Sequence, residues 1–271
     1  MQQHQNMANM IRSAKSASDW GDAKLKAYNI KVINCSEEEF FGSRVSELSF
    51  DSEFLQFDDI YDMHDKTSCD LAWTMEEALN KDGDAEPSVD WFANKILEFM
   101  GYTSYRRQVQ LRRNMTFTIC REKRWAKADI TLVTVPRPRT CGATILLIEE
   151  DKKAGKGEPI EQMVPQALAA FQHNNRMREL RGVPPREFQE QVIPAITLVG
   201  MTPTFYKVPV TLALMEAMGT GQYPTSISWI QRYKPDVVHG MISLRGRRKI
   251  LEYYQGFKKF VEELDKQDLE D

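Results

Sequence analysis

The chain is predicted to be an α/β protein with a central mixed, mainly antiparallel sheet flanked by helices. Three observations carry that expectation. Residues 127–135 (KADITLVTV) and 143–152 (ATILLIEEDK) are β-branched and apolar on either side of the turn-rich PRPRTCG, which reads as an antiparallel hairpin. The second of these strands is apolar on both faces as far as Ile148, so it belongs at the centre of the sheet. Residues 243–266 place Ile250, Tyr253, Tyr254, Phe257, Phe260, Val261 and Leu264 at helical spacing, a face that covers the sheet or joins a second copy as a homodimer.

In chain order, the first 20 residues (MQQHQNMANMIRSAKSASDW) are polar and read as a flexible arm, and AYNIKVINC after them reads as a short strand. Residues 36–86 hold sixteen acids against Arg44, Lys66 and Lys81, a net of −13. This stretch is expected as an acidic linker between the N-terminal strand and the core, in preference to a segment that docks on the basic residues of 102–127 as a nucleic-acid mimic. The chain accordingly divides into an arm and acidic accessory segment over 1–85 and a core over 86–271. In the core, 88–100 (SVDWFANKILEFM) reads as the first helix, 107–120, 127–135 and 143–152 as strands, 159–180 as the second helix, and 193–200 (IPAITLVG) as the next strand. Pro165 either kinks the second helix or opens it as its first residue.

Several kinds of chemistry find no support. Cys35, Cys69, Cys120 and Cys141 are scattered without a C-x-x-C pair, which argues against a disulfide framework or a zinc knuckle. His4, His64, His173 and His239 lack metal-ligand spacing, no G-x-S-x-G elbow is present, and Gly155-Lys156-Gly157 reads as a turn rather than a phosphate-binding loop. No apolar run approaches ~18 residues and no leader pattern opens the chain, so an intracellular location, cytoplasmic or nuclear, is expected without secretion or membrane contact. Arg245, Arg247, Arg248 and Lys249 read as a weak nuclear-localisation or phosphate patch, or equally as a solvated helix start.

The chemistry that does stand out lies in the hairpin. With its loop centred between Arg139 and Thr140, paired positions sum to 279, which sets Asp129 opposite Glu150 on one side of the sheet. Strand alternation adds Lys152 to that side and sends Glu149 and Asp151 to the other. Two facing carboxylates at the end of a buried strand repel each other and lose hydration, which costs roughly several kcal/mol unless a cation lies between them. Oxygen ligands without sulfur or imidazole suit Mg²⁺ or Mn²⁺, with the Asp151 carbonyl as a further donor. Lys152 is then placed to hold or help deprotonate a water. A structural ion pair at the strand end is the alternative use of the same residues.

An acid on one strand followed by Glu150-Asp151-Lys152 on the next resembles the PD-(D/E)xK nuclease superfamily, with Ala128 in place of the proline of its name. The likeness extends over about residues 86–210. It implies a restriction-endonuclease-like core in the order α-β-β-β-α-β, with Asp129 and Glu150 on a metal and Lys152 activating water. It also implies a polar residue from the following helix, Gln162 in preference to Gln166, and an acid from the first helix, Asp90 or Glu98. The whole chain is also similar to proteins of mushroom-forming fungi, a likeness that implies no activity.

Residues 102–127 hold eight bases against Glu122, a net of +7, interleaved with Tyr102, Tyr105, Phe117 and Trp125. Such a mixture contacts phosphates and stacks on bases, and Arg106, Arg107, Arg112, Arg113 and Arg124 are the candidate nucleic-acid contacts. A solvated strand face is the alternative. The expected function is therefore a Mg²⁺-dependent nuclease hydrolysing phosphodiester bonds of DNA or RNA. The other reading is a nuclease fold that no longer cuts and binds nucleic acid or protein.

Overall fold

The computed structural model describes residues 12–80, 85–135, 143–152, 159–184 and 190–269. The arm up to residue 11, the PRPRTCG turn with Cys141, and the Gly155-Lys156-Gly157 turn lie outside the described residues.

Seven strands build one sheet: β1 (Ile30–Asn34), β2 (Arg107–Ile119), β3 (Glu122–Thr134), β4 (Thr144–Lys152), β5 (Gln191–Val199), β6 (Thr202–Val210) and β7 (Ser228–Tyr233). Their spatial order is β1-β7-β6-β5-β4-β3-β2. Strands β4 and β5 run parallel, as do β1 and β7, and the other four pairings are antiparallel. The β4–β5 pair is parallel because the chain returns through helix α5 (Ile160–Leu180), the crossover that parallel neighbours need. Helices α1 (Asp22–Ala27), α2 (Glu37–Phe41), α3 (Lys66–Leu79), α4 (Ala85–Phe99), α6 (Leu212–Thr220) and α7 (Leu244–Leu269) complete the chain. The stretch α4-β2-β3-β4-α5-β5 has the expected order.

Strand β4 lies in the interior of the sheet, next to the middle strand β5, and its Ile145, Leu146, Leu147 and Ile148 are fully buried. Its two faces are covered by different helices. Glu150 meets Gln166 of α5, whereas Glu149, one residue earlier, lies beside Tyr254 of α7, and α4 also packs on β4. The expected register holds where β3 and β4 pair: Ile130 faces Glu149 and Thr131 faces Ile148, before a bulge at Leu132/Val133 shifts it by one.

Three local features go beyond the sequence reading, and the first corrects it. Strand β3 starts at Glu122 rather than 127, because β2 and β3 are joined by a two-residue turn in which Cys120 (φ 51°) and Arg121 (φ 63°) are both left-handed. Such turns normally announce themselves as Asn-Gly. Here tertiary contacts hold the turn instead, the N–H of Cys120 donating to the carbonyl of Met218 (2.7 Å) and that of Arg121 to Gly219 (2.6 Å). Helix α5 starts at Ile160, so Pro165 lies within it and does not open it. Strand β6 carries Pro203 and Pro209, yet it is an interior strand. Both prolines fall outside its short pairing with β7, which spans only Phe205 to Lys207.

The acidic stretch docks on the start of α7, not on the basic residues of 102–127. Helix α2 opens with a capping box, the Ser36 hydroxyl accepting from the Glu39 N–H while the Glu39 carboxylate accepts from the Ser36 N–H at 2.7 Å. Its Phe40 and Phe41 then stack against Phe257 and Tyr253 of α7. Arg247 is the clamp: its guanidinium is buried, lies 4.3 Å over the Phe54 ring, and donates to the carbonyls of Phe54 (2.7 Å), Phe57 (3.1 Å) and Met241 (3.3 Å). Arg248 reaches Asp51 and Lys249 pairs with Glu252. Of the basic run of α7, Arg247 is thus spent inside the molecule, Arg248 and Lys249 pair at its surface, and Arg245 stays exposed. Replacing Arg247 by Ala, which strands those carbonyls, is expected to cost about 3 kcal/mol in urea unfolding. The exposed pair partner Arg248→Ala is expected to cost less than about 1 kcal/mol in the same measurement.

Candidate functional site

Asp129 lies at an interruption in the sheet. The β2–β3 ladder pairs Leu111 with Ile130 and Arg113 with Ala128 but omits Arg112 and Asp129 between them, and the β3–β4 ladder stops at Ile130 and Glu149. Arg112 takes a left-handed conformation (φ 52°), which for a residue with a side chain costs about 1 kcal/mol and gathers at functional positions. Freed from the ladder, the half-buried Asp129 carboxylate accepts the backbone N–H of Asp151 at 3.0 Å. Asp129 and Glu150 therefore occupy neighbouring positions in register, although no backbone pair joins them.

Around this point β3, β4 and α4 bring five carboxylates within electrostatic reach of one another: Asp90, Asp129, Glu149, Glu150 and Asp151. Both carboxylate oxygens of Glu149 and both of Asp151 are buried with no hydrogen-bond partner among the described residues. Burial, then the nearby Asp90 and Asp129, push the Glu149 carboxyl up to about 8. The Tyr254 hydroxyl pulls weakly the other way without reaching hydrogen-bond geometry. Asp151 is raised well above the usual carboxylate range by burial and then by Glu149, Asp129, Asp90 and Glu150. Arg112 approaches Asp90 at 3.4 Å from a half-exposed position.

On the other face of β4, the Gln166 amide donates to Glu150 (2.6 Å) and to the carbonyl of Lys127 (2.8 Å), tying α5 to both strands. Gln166 thus takes the place that the sequence favoured for Gln162, which is half-buried one turn earlier and makes no side-chain hydrogen bond among the described residues. The choice follows from where the helix starts: with Ile160 first, residue 166 comes abreast of the strand end. Lys152 is the last residue of β4, opposite Val199. Glu98 is exposed and paired with Lys95 at 2.8 Å, so of the two candidates on α4 only Asp90 joins the cluster.

The five candidate arginines separate. Arg107 is near Glu262 (3.9 Å), and Arg124 bonds the carbonyls of Ala14 and Lys123 and pairs with Glu122. Arg113 bonds Gln110 and His173 of α5, and its burial lowers its pKa. Arg106 and Arg112 remain accessible, as does Trp125. Sequence reasoning missed Glu149 as a site residue. The run Ile148-Glu149-Glu150-Asp151 carried the signal, because a charge on each face of a covered strand cannot all be solvated.

The donor set is all oxygen, and the unpartnered oxygens of Glu149 and Asp151 fit a hard divalent cation. Among the described residues no three His, Cys, Asp or Glu side chains converge as a ready-made ligand set. No helix among the described residues is long and apolar enough to cross a membrane. No family model matches the chain, and no curated protein matches it in sequence.

His173 offers a check on this side of the sheet. Burial holds its pKa down at about 4, against an ordinary 6.5, and its Nε2 lies between the Arg113 guanidinium (3.0 Å) and the Ala143 carbonyl (2.9 Å). Above pH 6.5 neither state binds the proton; as pH falls from 6.5 to 4 only the unfolded chain takes it up, so stability falls through that window. The expected loss is up to about 3 kcal/mol, and His173→Gln should flatten the pH dependence of unfolding between those limits by up to one proton.

Proposed function

We propose that this chain is a divalent-metal-dependent nuclease that hydrolyses phosphodiester bonds of DNA or RNA within the cell. The observation that carries the reading is the set of buried, unpartnered carboxylate oxygens of Glu149 and Asp151 next to Asp129, which a cation would neutralise. Asp129 with the acids of β4 would hold Mg²⁺ or Mn²⁺, Asp90 adding negative field from α4. Once bound, the ion would supply Lewis-acid polarisation of the phosphate and a more acidic water. Lys152, at the end of β4, would contribute an ammonium to hold that water or offset phosphate charge. Gln166 fixes the Glu150 carboxylate, and Arg112 and Arg106 are the accessible cations for a substrate backbone. The likeness of Asp129 and Glu150-Asp151-Lys152 to the PD-(D/E)xK pattern supports the same chemistry.

A nuclease fold that binds without cutting is the second reading, favoured by the lack of three converged ligands among the described residues. A Mn²⁺ titration by calorimetry and a cleavage assay on mixed single- and double-stranded substrates separate the two. Asp129→Ala and Glu150→Ala are expected to weaken Mn²⁺ binding on the order of 10–100-fold or more. Lys152→Met should leave Mn²⁺ binding in place while lowering cleavage by roughly 10²–10⁴-fold. Mn²⁺ binding with no cleavage of any substrate would favour the binding module, and no Mn²⁺ binding would defeat the metal site.

Glu149→Gln and Asp151→Asn replace carboxyls that must take up a proton to be buried, so near neutral pH each should raise the melting temperature of the metal-free protein by a few degrees, about 1–2 kcal/mol. In both variants the rise in melting temperature on adding Mn²⁺ should shrink or vanish. A metal-free variant less stable than the parent would mean that these carboxylates are already compensated.

A further inference from the structure

Helices α3 and α4 pack together and present two tryptophans side by side on the surface. The rings of Trp73 and Trp91 meet edge to face at 4.9 Å and 85°, and the residues are 45% and 40% exposed. Neither indole N–H has a hydrogen-bond partner among the described residues. Exposing two large aromatic side chains in contact is unfavourable for an isolated surface, since each leaves apolar area in water that burial would stabilise. Tryptophan is also a residue type that anchors interfaces, joining a broad apolar ring to a polar N–H.

The charges around the pair decide what fits it. Asp70, Glu76 and Glu77 stand three and four residues from Trp73 on α3, the spacing that shares a helix face. Asp70 is paired with Lys66, whereas Glu76 and Glu77 have no ion pair among the described residues. On α4 Lys95, four residues from Trp91, is paired with Glu98. The surroundings are therefore net acidic. A nucleic-acid backbone or an anionic lipid surface would be repelled, while an arginine or lysine side chain could lie on an indole face and pair with a free glutamate.

We propose that the Trp73–Trp91 surface is a docking site for a basic, arginine-bearing segment of another protein. The arginine guanidinium stacks on the exposed indole, Glu76 and Glu77 supply counter-charge, and the paired rings give a rigid apolar floor. This surface does not depend on the metal site.

A peptide of alternating Arg and Gly is the probe, titrated into the full chain by calorimetry and by tryptophan fluorescence. Its Glu–Gly counterpart and a single-stranded oligonucleotide serve as comparisons. The Arg–Gly peptide is expected to bind, with affinity falling at least about tenfold in Trp91→Ala and in the double variant Glu76→Gln/Glu77→Gln, and falling further with salt. Thermal unfolding of each variant checks that these exposed substitutions leave the fold intact, and Arg248→Ala, remote from the surface, should bind as the parent does. Absence of binding to the parent chain overturns the proposal, as does equal binding by parent and variants. An oligonucleotide whose affinity drops in Trp91→Ala would assign the surface to nucleic acid and overturn it too. Self-association of the parent chain that disappears in Trp91→Ala would replace the basic partner by a second copy.

Discussion

The structure is organised around one unfavourable arrangement: the most deeply buried strand of the sheet ends in three consecutive acids. Helices on both faces cover β4, so neither Glu149 and Asp151 on one side nor Glu150 on the other can reach bulk water. Each face answers differently. Toward α5, Gln166 gives Glu150 a hydrogen bond and ties the strand to Lys127. Toward α4 and α7 Asp90 and Asp129 add to the repulsion, while Tyr254 opposes it weakly and Arg112 meets Asp90. The interruption of two ladders at Asp129, with Arg112 forced into a left-handed conformation opposite, belongs to the same place. A molecule selected for stability alone would carry apolar residues there, so the arrangement speaks for use.

Part of the charge elsewhere is paired within the chain. The acidic stretch after β1 is folded rather than solvated, because Phe40, Phe41 and Phe54 supply apolar area and Arg247 closes its carbonyls. Most arginines of the β2–β3 hairpin are likewise engaged with neighbouring side chains or carbonyls. Net charge over a sequence window therefore overstated what the surface offers to a phosphate backbone. Arg112, Arg121, Lys123 and Lys127 stay exposed and Arg106 is half-buried, and of these Arg112 meets Asp90.

What could be read from the residues followed from strong local physics. Ile145 to Ile148 are apolar without alternation, which marks a strand covered on both sides, and the turn-rich loop set a register that the Ile130–Glu149 pair obeys. The helical spacing of Ile250, Tyr253, Tyr254 and Phe257 likewise marked the helix that covers the sheet. What could not be read was decided by distant contacts. The Cys120-Arg121 turn carries no turn residues and is held by α6. The choice of Gln166 over Gln162 depends on where α5 begins, a boundary that Pro159 and Pro165 blur. Arg247 looked like one of several surface bases, since nothing local distinguishes a guanidinium that will be buried against carbonyls some 190 residues away in sequence.

The pairing of β1 with β7 bears on how the molecule is made. Ile30 finds its strand partner at Ser228, so nearly the whole chain separates the two edges of that ladder. During synthesis at about 5–20 residues per second, β1 would wait on the order of ten seconds or longer before its partner leaves the ribosome. Its half-exposed apolar residues and the aromatic Phe40 and Phe41 would be uncovered for that interval, a long time on the scale of collapse. The hairpin of β2 and β3, by contrast, can close as soon as it is made. The sheet should therefore grow outward from β2, β3 and β4, with the N-terminal strand joining last, and chaperone demand should fall on the first part of the chain to appear.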